Sequence, residues 1–203
     1  MERIFSWWKY SKHRKIARAF YKNFPFFELS KEEFFERCYL LQRCGAGIVL
    51  GHVKDHYTAI ISDIDQQENG VFENVPLGRF GEIVFKKRED AELRHTGNYG
   101  FFDQCGRVWC CGPIKRTVEL DDKKYFPYCI EPLFERIWWI SSAKFFSVAS
   151  CDSSKCLSIK IRPKFFVSPL VYLFKRYFVS TVKRFSKKFP ITSKIDNVEL
   201  TFW

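Results

Sequence analysis

Hydrophobic residues first recur at helical spacing. In SWWKYSKHRKIARAFYKNF, the residues Trp8, Ile16, Ala19 and Phe20 fall near one face, and Pro25 ends the run, which predicts a helix. Ser30 and Glu33 then have the spacing of a capping box, in which the Ser side chain accepts from the N–H three residues on. The helix they open carries Phe34, Phe35, Cys38 and Leu41 on one side, and Gly45 stops it.

From Gly47 the period changes to short β-branched runs. GIVLGHV and HYTAIISDI, separated by Lys54 and Asp55, predict a hairpin, and QQENG predicts a turn. GEIVFKK, GRVWCCG, IKRTVEL, KFFSVAS and CLSIKIR predict further strands. Pro132 marks a start for a short buried helix, PLFERIWWI. Ser168 and Pro169 start another helix and Pro190 stops it. Between them Val171, Phe174, Phe178, Val182, Phe185 and Phe189 recur every three or four residues, an aromatic stripe on an amphipathic helix. NVELTFW alternates and reads as a final strand. Together these predict one α+β domain over 1–203, with a central, mainly antiparallel sheet covered by N-terminal and C-terminal helices.

The chain of 203 residues has 46% hydrophobic and 28% charged residues, values of a folded globular protein. Its aromatic fraction, 19% with 23 Phe, adds a core built on large rings. No run of about 18 apolar residues exists, so no transmembrane helix is predicted. The basic N-terminus lacks an apolar centre, so no secretory signal is read. With eight Cys and no export route, the expectation is an intracellular, cytoplasmic protein with reduced thiols.

Charge changes the picture most. The chain has 34 Lys plus Arg against 23 Asp plus Glu, a net of +11. Residues 1–27 form a basic helical arm, 28–152 a near-neutral body of helix and sheet, 153–195 a basic amphipathic segment, and 196–203 the closing strand. The 153–195 stretch holds 11 basic residues and no acid, so removing it leaves 23 against 23. One explanation is a solvated helix face. The other is an anionic partner, which would relieve the self-repulsion. Nucleic acid is the leading expectation, gripped by Lys164, Lys175, Arg176, Lys183, Arg184, Lys187 and Lys188 with Lys12, Arg14 and Lys15 of the first helix. An anionic membrane surface is the alternative if the aromatic stripe faces outward.

Candidate chemistry is sparse. Cys105 and Cys110, then Cys151 and Cys156, are pairs with four residues between them, a set that could supply four thiolates to zinc, or simply buried thiols. His52 and His56 flank the presumed hairpin. Either could lower the pKa of Cys110 or Cys111 in a Cys-His hydrolase. His56 at the head of an apolar strand, with Cys later, resembles the papain-like lipid acyltransferase and cell-wall peptidase folds over a handful of residues. Gln42 to Gly47, QRCGAG, is similar to the short Gly pattern with which GNAT acyltransferases hold a pyrophosphate, making Gln42, Gly45 and Gly47 candidate cofactor contacts. A helix stop explains the same glycine. A small enzyme, an acyltransferase or a Cys-His hydrolase, is therefore the second functional reading.

Overall fold

The computed structural model describes residues 11–27, 29–30, 33–64, 72–87, 92–149 and 155–201. Its contacts separate two compact units, Met1–Lys115 and Arg116–Trp203. The fold is α+β. In place of one central sheet, each unit has its own sheet and its own core.

In the first unit, α1 (Ser11–Asn23) buries Ala17 and Phe20. The chain leaving it packs rings on the sheet: Phe24 stacks on Phe85 at 5.3 Å and Phe26 meets the same ring edge-on at 5.2 Å. The cap forms as the spacing requires, with the Glu33 N–H donating to Ser30 Oγ at 3.1 Å. A π-helical turn, Phe34–Cys38, then runs into α2 (Tyr39–Arg43).

The sheet of this unit comprises β1 (Ile48–Gly51), β2 (Tyr57–Ser62), β3 (Gly81–Lys87), β4 (Leu93–Phe102) and β5 (Val108–Pro113). Its order is β1-β5-β4-β3-β2, antiparallel throughout. This corrects the expected β1–β2 hairpin, since the two strands lie on opposite edges. β3, whose residues Gly81–Phe85 are all buried, pairs with β2 on one side and β4 on the other. The expected QQENG turn lies outside the described residues.

The second unit opens with a hairpin of β6 (Val118–Leu120) and β7 (Lys123–Tyr125), where the sequence led to one strand over IKRTVEL. Asp121 and Asp122 take φ of +50° and +57° at its turn, left-handed positions that Asp tolerates better than most residues. Next comes α3 (Pro127–Glu135), which starts at Pro127 and carries Pro132 inside it rather than at its start. The sheet follows, ordered β10-β9-β8 from β8 (Ile140–Ala149), β9 (Lys155–Pro163) and β10 (Ile195–Leu200). β8 and β9 are antiparallel. β10 runs parallel to β9, which demands a crossover, and residues 164–194 supply it.

That crossover is not the single amphipathic helix expected from the stripe. It breaks at Phe174 (φ −110°, ψ 35°) into α4 (Ser168–Leu173) and α5 (Lys175–Ser186). The break divides the stripe. Phe178 and Val182 are buried, with the Phe178 ring edge-on to Trp139 at 4.8 Å, whereas Phe174 is exposed. Two carboxylates of α3, one turn apart, close the free edge of β8. Glu131 accepts from the Phe145 N–H at 3.0 Å and Glu135 from the Ala143 N–H at 3.1 Å. Arg116 pairs with the buried Glu131. Among the described residues no helix is long and apolar enough to cross a membrane.

Candidate functional site

The first unit holds a polar corner at an irregularity of the β3–β4 ladder. Glu82 pairs with Tyr99 and Val84 with His95, so Ile83 alone faces Thr96, Gly97 and Asn98. The extra residues bulge outward, and Gly97 supplies the left-handed turn they need at φ +66°. The bulge is held from beneath by Glu82, whose side chain is only 7% exposed. One carboxylate oxygen accepts from the Gly97 N–H at 2.9 Å and the other contacts His95 Nδ1 at 3.1 Å. Asn98 is fixed by Thr96, its N–H donating to Thr96 Oγ1 at 3.2 Å and its side-chain amide to the Thr96 carbonyl at 2.7 Å.

The imidazole is 46% exposed, with the Phe72 ring edge-on at 5.6 Å. With Nδ1 engaged by the carboxyl group, Nε2 is the ring nitrogen left for other contacts. A buried carboxyl group, an oriented imidazole and a bulged backbone make this corner the candidate site of the first unit. Close packing behind the bulge keeps it in place. A Cβ on Gly100 would sit 2.6 Å from Ile83 side-chain carbons and 2.4 Å from the Trp109 carbonyl oxygen.

A second polar network stiffens the β4–β5 turn. Asp103 accepts from the N–H groups of Cys105 (2.9 Å) and Arg107 (3.0 Å), from Arg107 Nε (2.7 Å) and from Trp109 Nε1 (2.8 Å). Burial alone would raise the pKa of this carboxyl. The hydrogen bonds from Trp109 and Arg107, with the guanidinium charge, outweigh it and hold the group below its ordinary value. Arg107 is 4% exposed, and its Nη1 has no hydrogen-bond partner among the described residues. Burial pushes the neighbouring Cys38 thiol up, against the pull of Arg107, so Cys38 is not a ready thiolate.

The residues singled out from the sequence fall elsewhere. Cys110 and Cys111 are fully buried on β5, while His52 and His56 are exposed on the β1–β2 connection. His52 lies 3.9 Å from Glu33. Thiols sealed in a sheet give a substrate no approach, which removes the geometric basis for a Cys-His nucleophile on these residues. The QRCGAG turn spends its N–H groups on the helix before it: Cys44 donates to Leu40 and Leu41, Gly45 to Gln42 and Ala46 to Leu41. Those groups are not left for a pyrophosphate. Gln42 is buried and accepts from the Val49 N–H at 3.4 Å, and Gly47 is needed because a Cβ would lie 2.6 Å from the Cys110 carbonyl oxygen.

Of the zinc candidates, Cys105 is exposed, Cys110 buried and Cys156 half-buried, and Cys151 lies outside the described residues. Among the described residues no group of three or more His, Cys, Asp or Glu is gathered to hold a metal. Lys175, Arg176, Lys183, Arg184, Lys187 and Lys188 are exposed and Lys164 half-buried. Lys12, Arg14 and Lys15 lie on α1, and their side chains are outside the described residues. The acid-free stretch does not stay wholly unopposed, since Lys194 pairs with Asp121 of the near-neutral body. A shallow basin of about 400 Å³ in the second unit gathers Lys144, Lys160 and Arg162 with Ser142 and Thr201.

No protein-family description matches the sequence, and no curated protein does. Solved structures do match the fold. The amide bond synthetase McbA from Marinactinospora thermotolerans superposes with a TM-score of 0.60 at 14% identity, over 75% of this chain and 32% of that one. The anthranilate CoA ligase AuaEII, in complex with anthranoyl-AMP, gives 0.61 at 13% identity over 76% and 31%. ATP-bound MatB from Rhodopseudomonas palustris gives 0.59 at 14% identity over 75% and 31%. The chain shares its fold with part of these enzymes. It spans about a third of their length.

This overturns the nucleic-acid reading of the basic stretch. Of the three structures named above, one is an amide bond synthetase, one a CoA ligase holding an acyl-AMP and one is bound to ATP, and the helix on which that reading rested is broken. Glu82, His95 and Asn98 are not singled out by the sequence patterns described above. The Thr96-Gly97-Asn98 run is a turn signal inside a polar segment and was the readable clue.

Proposed function

We propose that this chain is an acyl-activating module that handles the adenylate of a carboxylic acid. The reading is carried by fold likeness to enzymes solved with ATP or an acyl-AMP, over about three-quarters of this chain. In the reaction proposed, a carboxylate oxygen of the substrate bonds to the α-phosphorus of ATP. The bond from that phosphorus to the bridging oxygen breaks, and pyrophosphate leaves with the electron pair. The polar corner is the proposed contact. Glu82 fixes the bulge through the Gly97 N–H and engages His95 Nδ1, which makes Nε2 the proposed ligand contact, while Thr96 and Asn98 brace the bulge through their own hydrogen bonds.

The test is carboxylate-dependent exchange of labelled pyrophosphate into ATP, run against a panel of aryl, alkyl and amino acids. Exchange that requires one class of acid and falls at least ten-fold in His95→Ala supports the reading. Exchange equal to the acid-free control with every acid overturns it.

A further inference from the structure

The crossover of the second unit leaves an apolar surface that shares only Phe174 with the sequence stripe. Phe165, Phe166, Tyr172, Leu173, Phe174 and Tyr177 are between 56% and 80% exposed, all within 13 residues. Val167, Val171 and Phe178 point inward and anchor the segment to the core, while these six keep most of their surface in solvent. Large side chains carry roughly 150–250 Å² each, so the six present on the order of 900 Å². The largest apolar patch of an ordinary monomer is about 300–600 Å².

The surrounding charge is of one sign. Lys164, Lys175 and Arg176 flank the rings, no acid occurs from Ser153 to Ile195, and Lys175 and Arg176 make no ion pair among the described residues. Lys164 Nζ lies 5.8 Å from the centre of the Phe166 ring. Its long stem lets the ammonium stay in water while the ring is buried. A surface of aromatic and Leu side chains rimmed by cations matches the boundary of an anionic bilayer, where rings enter the headgroup layer and Lys and Arg meet lipid phosphate.

We propose that the knob 164–177 docks on an anionic membrane surface. It lies in the interface and does not span, since the helices that carry it are 6 and 12 residues long. The proposal is independent of adenylate handling, as it needs neither nucleotide nor acyl substrate.

Flotation of the full chain with vesicles of neutral phosphatidylcholine, alone or with 30% phosphatidylserine, at about 150 mM salt tests it. The expected result is binding to the anionic vesicles, much weaker binding to the neutral ones, and at least a ten-fold loss in Phe165→Ser/Leu173→Ser. In Lys175→Gln/Arg176→Gln the loss should be about thirty-fold on anionic vesicles, from two surface charges. All four positions are exposed, so a thermal melt should be unchanged. No binding to anionic vesicles, or binding untouched by the apolar double variant, overturns the proposal. So does self-association in sedimentation that the apolar variant abolishes, which would give the knob to a second copy of the chain.

Discussion

Replacing Asp103 by Ala removes the anion that answers a buried guanidinium. Arg107 is almost wholly inside and already has one nitrogen unpartnered, so it would lose its counter-ion without gaining water. Two backbone N–H groups and the Trp109 indole would lose their acceptor in the same step. Breaking a buried pair by deleting one partner costs about 3–5 kcal/mol. Against a domain stability of about 5–15 kcal/mol this is a large fraction, so urea melts of the first unit should shift strongly or show it unfolded. Asp103→Asn keeps an acceptor and should cost less than the Ala change. Asp103→Ala/Arg107→Met removes both charges and should recover a substantial part of the loss, because the penalty lies in the stranded cation. The reasoning fails if the single Ala change costs under about 1 kcal/mol, or if the double variant is less stable than the single.

Three further outcomes follow from the same structure. Asp103 has a folded pKa below its ordinary 3.8, so its contribution is complete above that value and is lost as pH falls through the depressed one. Acid titration of stability should show this loss below about pH 4 in the wild type, and a smaller one in Asp103→Asn. Glu131→Ala leaves the Phe145 N–H without its acceptor at a buried edge and should cost about 2–4 kcal/mol by urea denaturation. Glu131→Gln, which keeps an acceptor, should cost less. Gly100→Ala forces a Cβ into Ile83 and the Trp109 carbonyl and should lower stability by about 1–3 kcal/mol, visible as a lower melting temperature.

What was legible in the chain was local. The Ser30 cap formed because a cap depends only on residues three apart, and β3, β5, β9 and β10 lie on runs whose apolar content suits a strand. Strand partners were not legible. β1 and β2 are neighbours in sequence, yet their free edges are taken by β5 and β3, a choice made by long-range packing. The stripe from Val171 to Phe189 has helical spacing throughout. The kink at Phe174 arises where the crossover must bring the chain back beside β9, which no 3.6-residue count contains.

The candidate site was hidden for a related reason. Glu82 sits at the start of an apolar strand and reads as a solvated terminal charge. Only the pairing of β3 with β4 turns it inward beneath Gly97 and His95. Glu131 and Glu135 were closer to legible, since a spacing of four places both on one helix face. The edge they close is visible only once β8 is in place.

The central claim is that this chain holds an adenylate at the bulged corner. Isothermal titration of the full chain with a non-hydrolysable acyl-adenylate, the acylsulfamoyl adenosine of the acid most active in exchange or of benzoate if none is, tests it most directly. The account predicts one site per chain, displaced by ATP and weakened at least ten-fold in His95→Ala. Heats equal to buffer dilution up to millimolar ligand, or an affinity indifferent to His95, would contradict it.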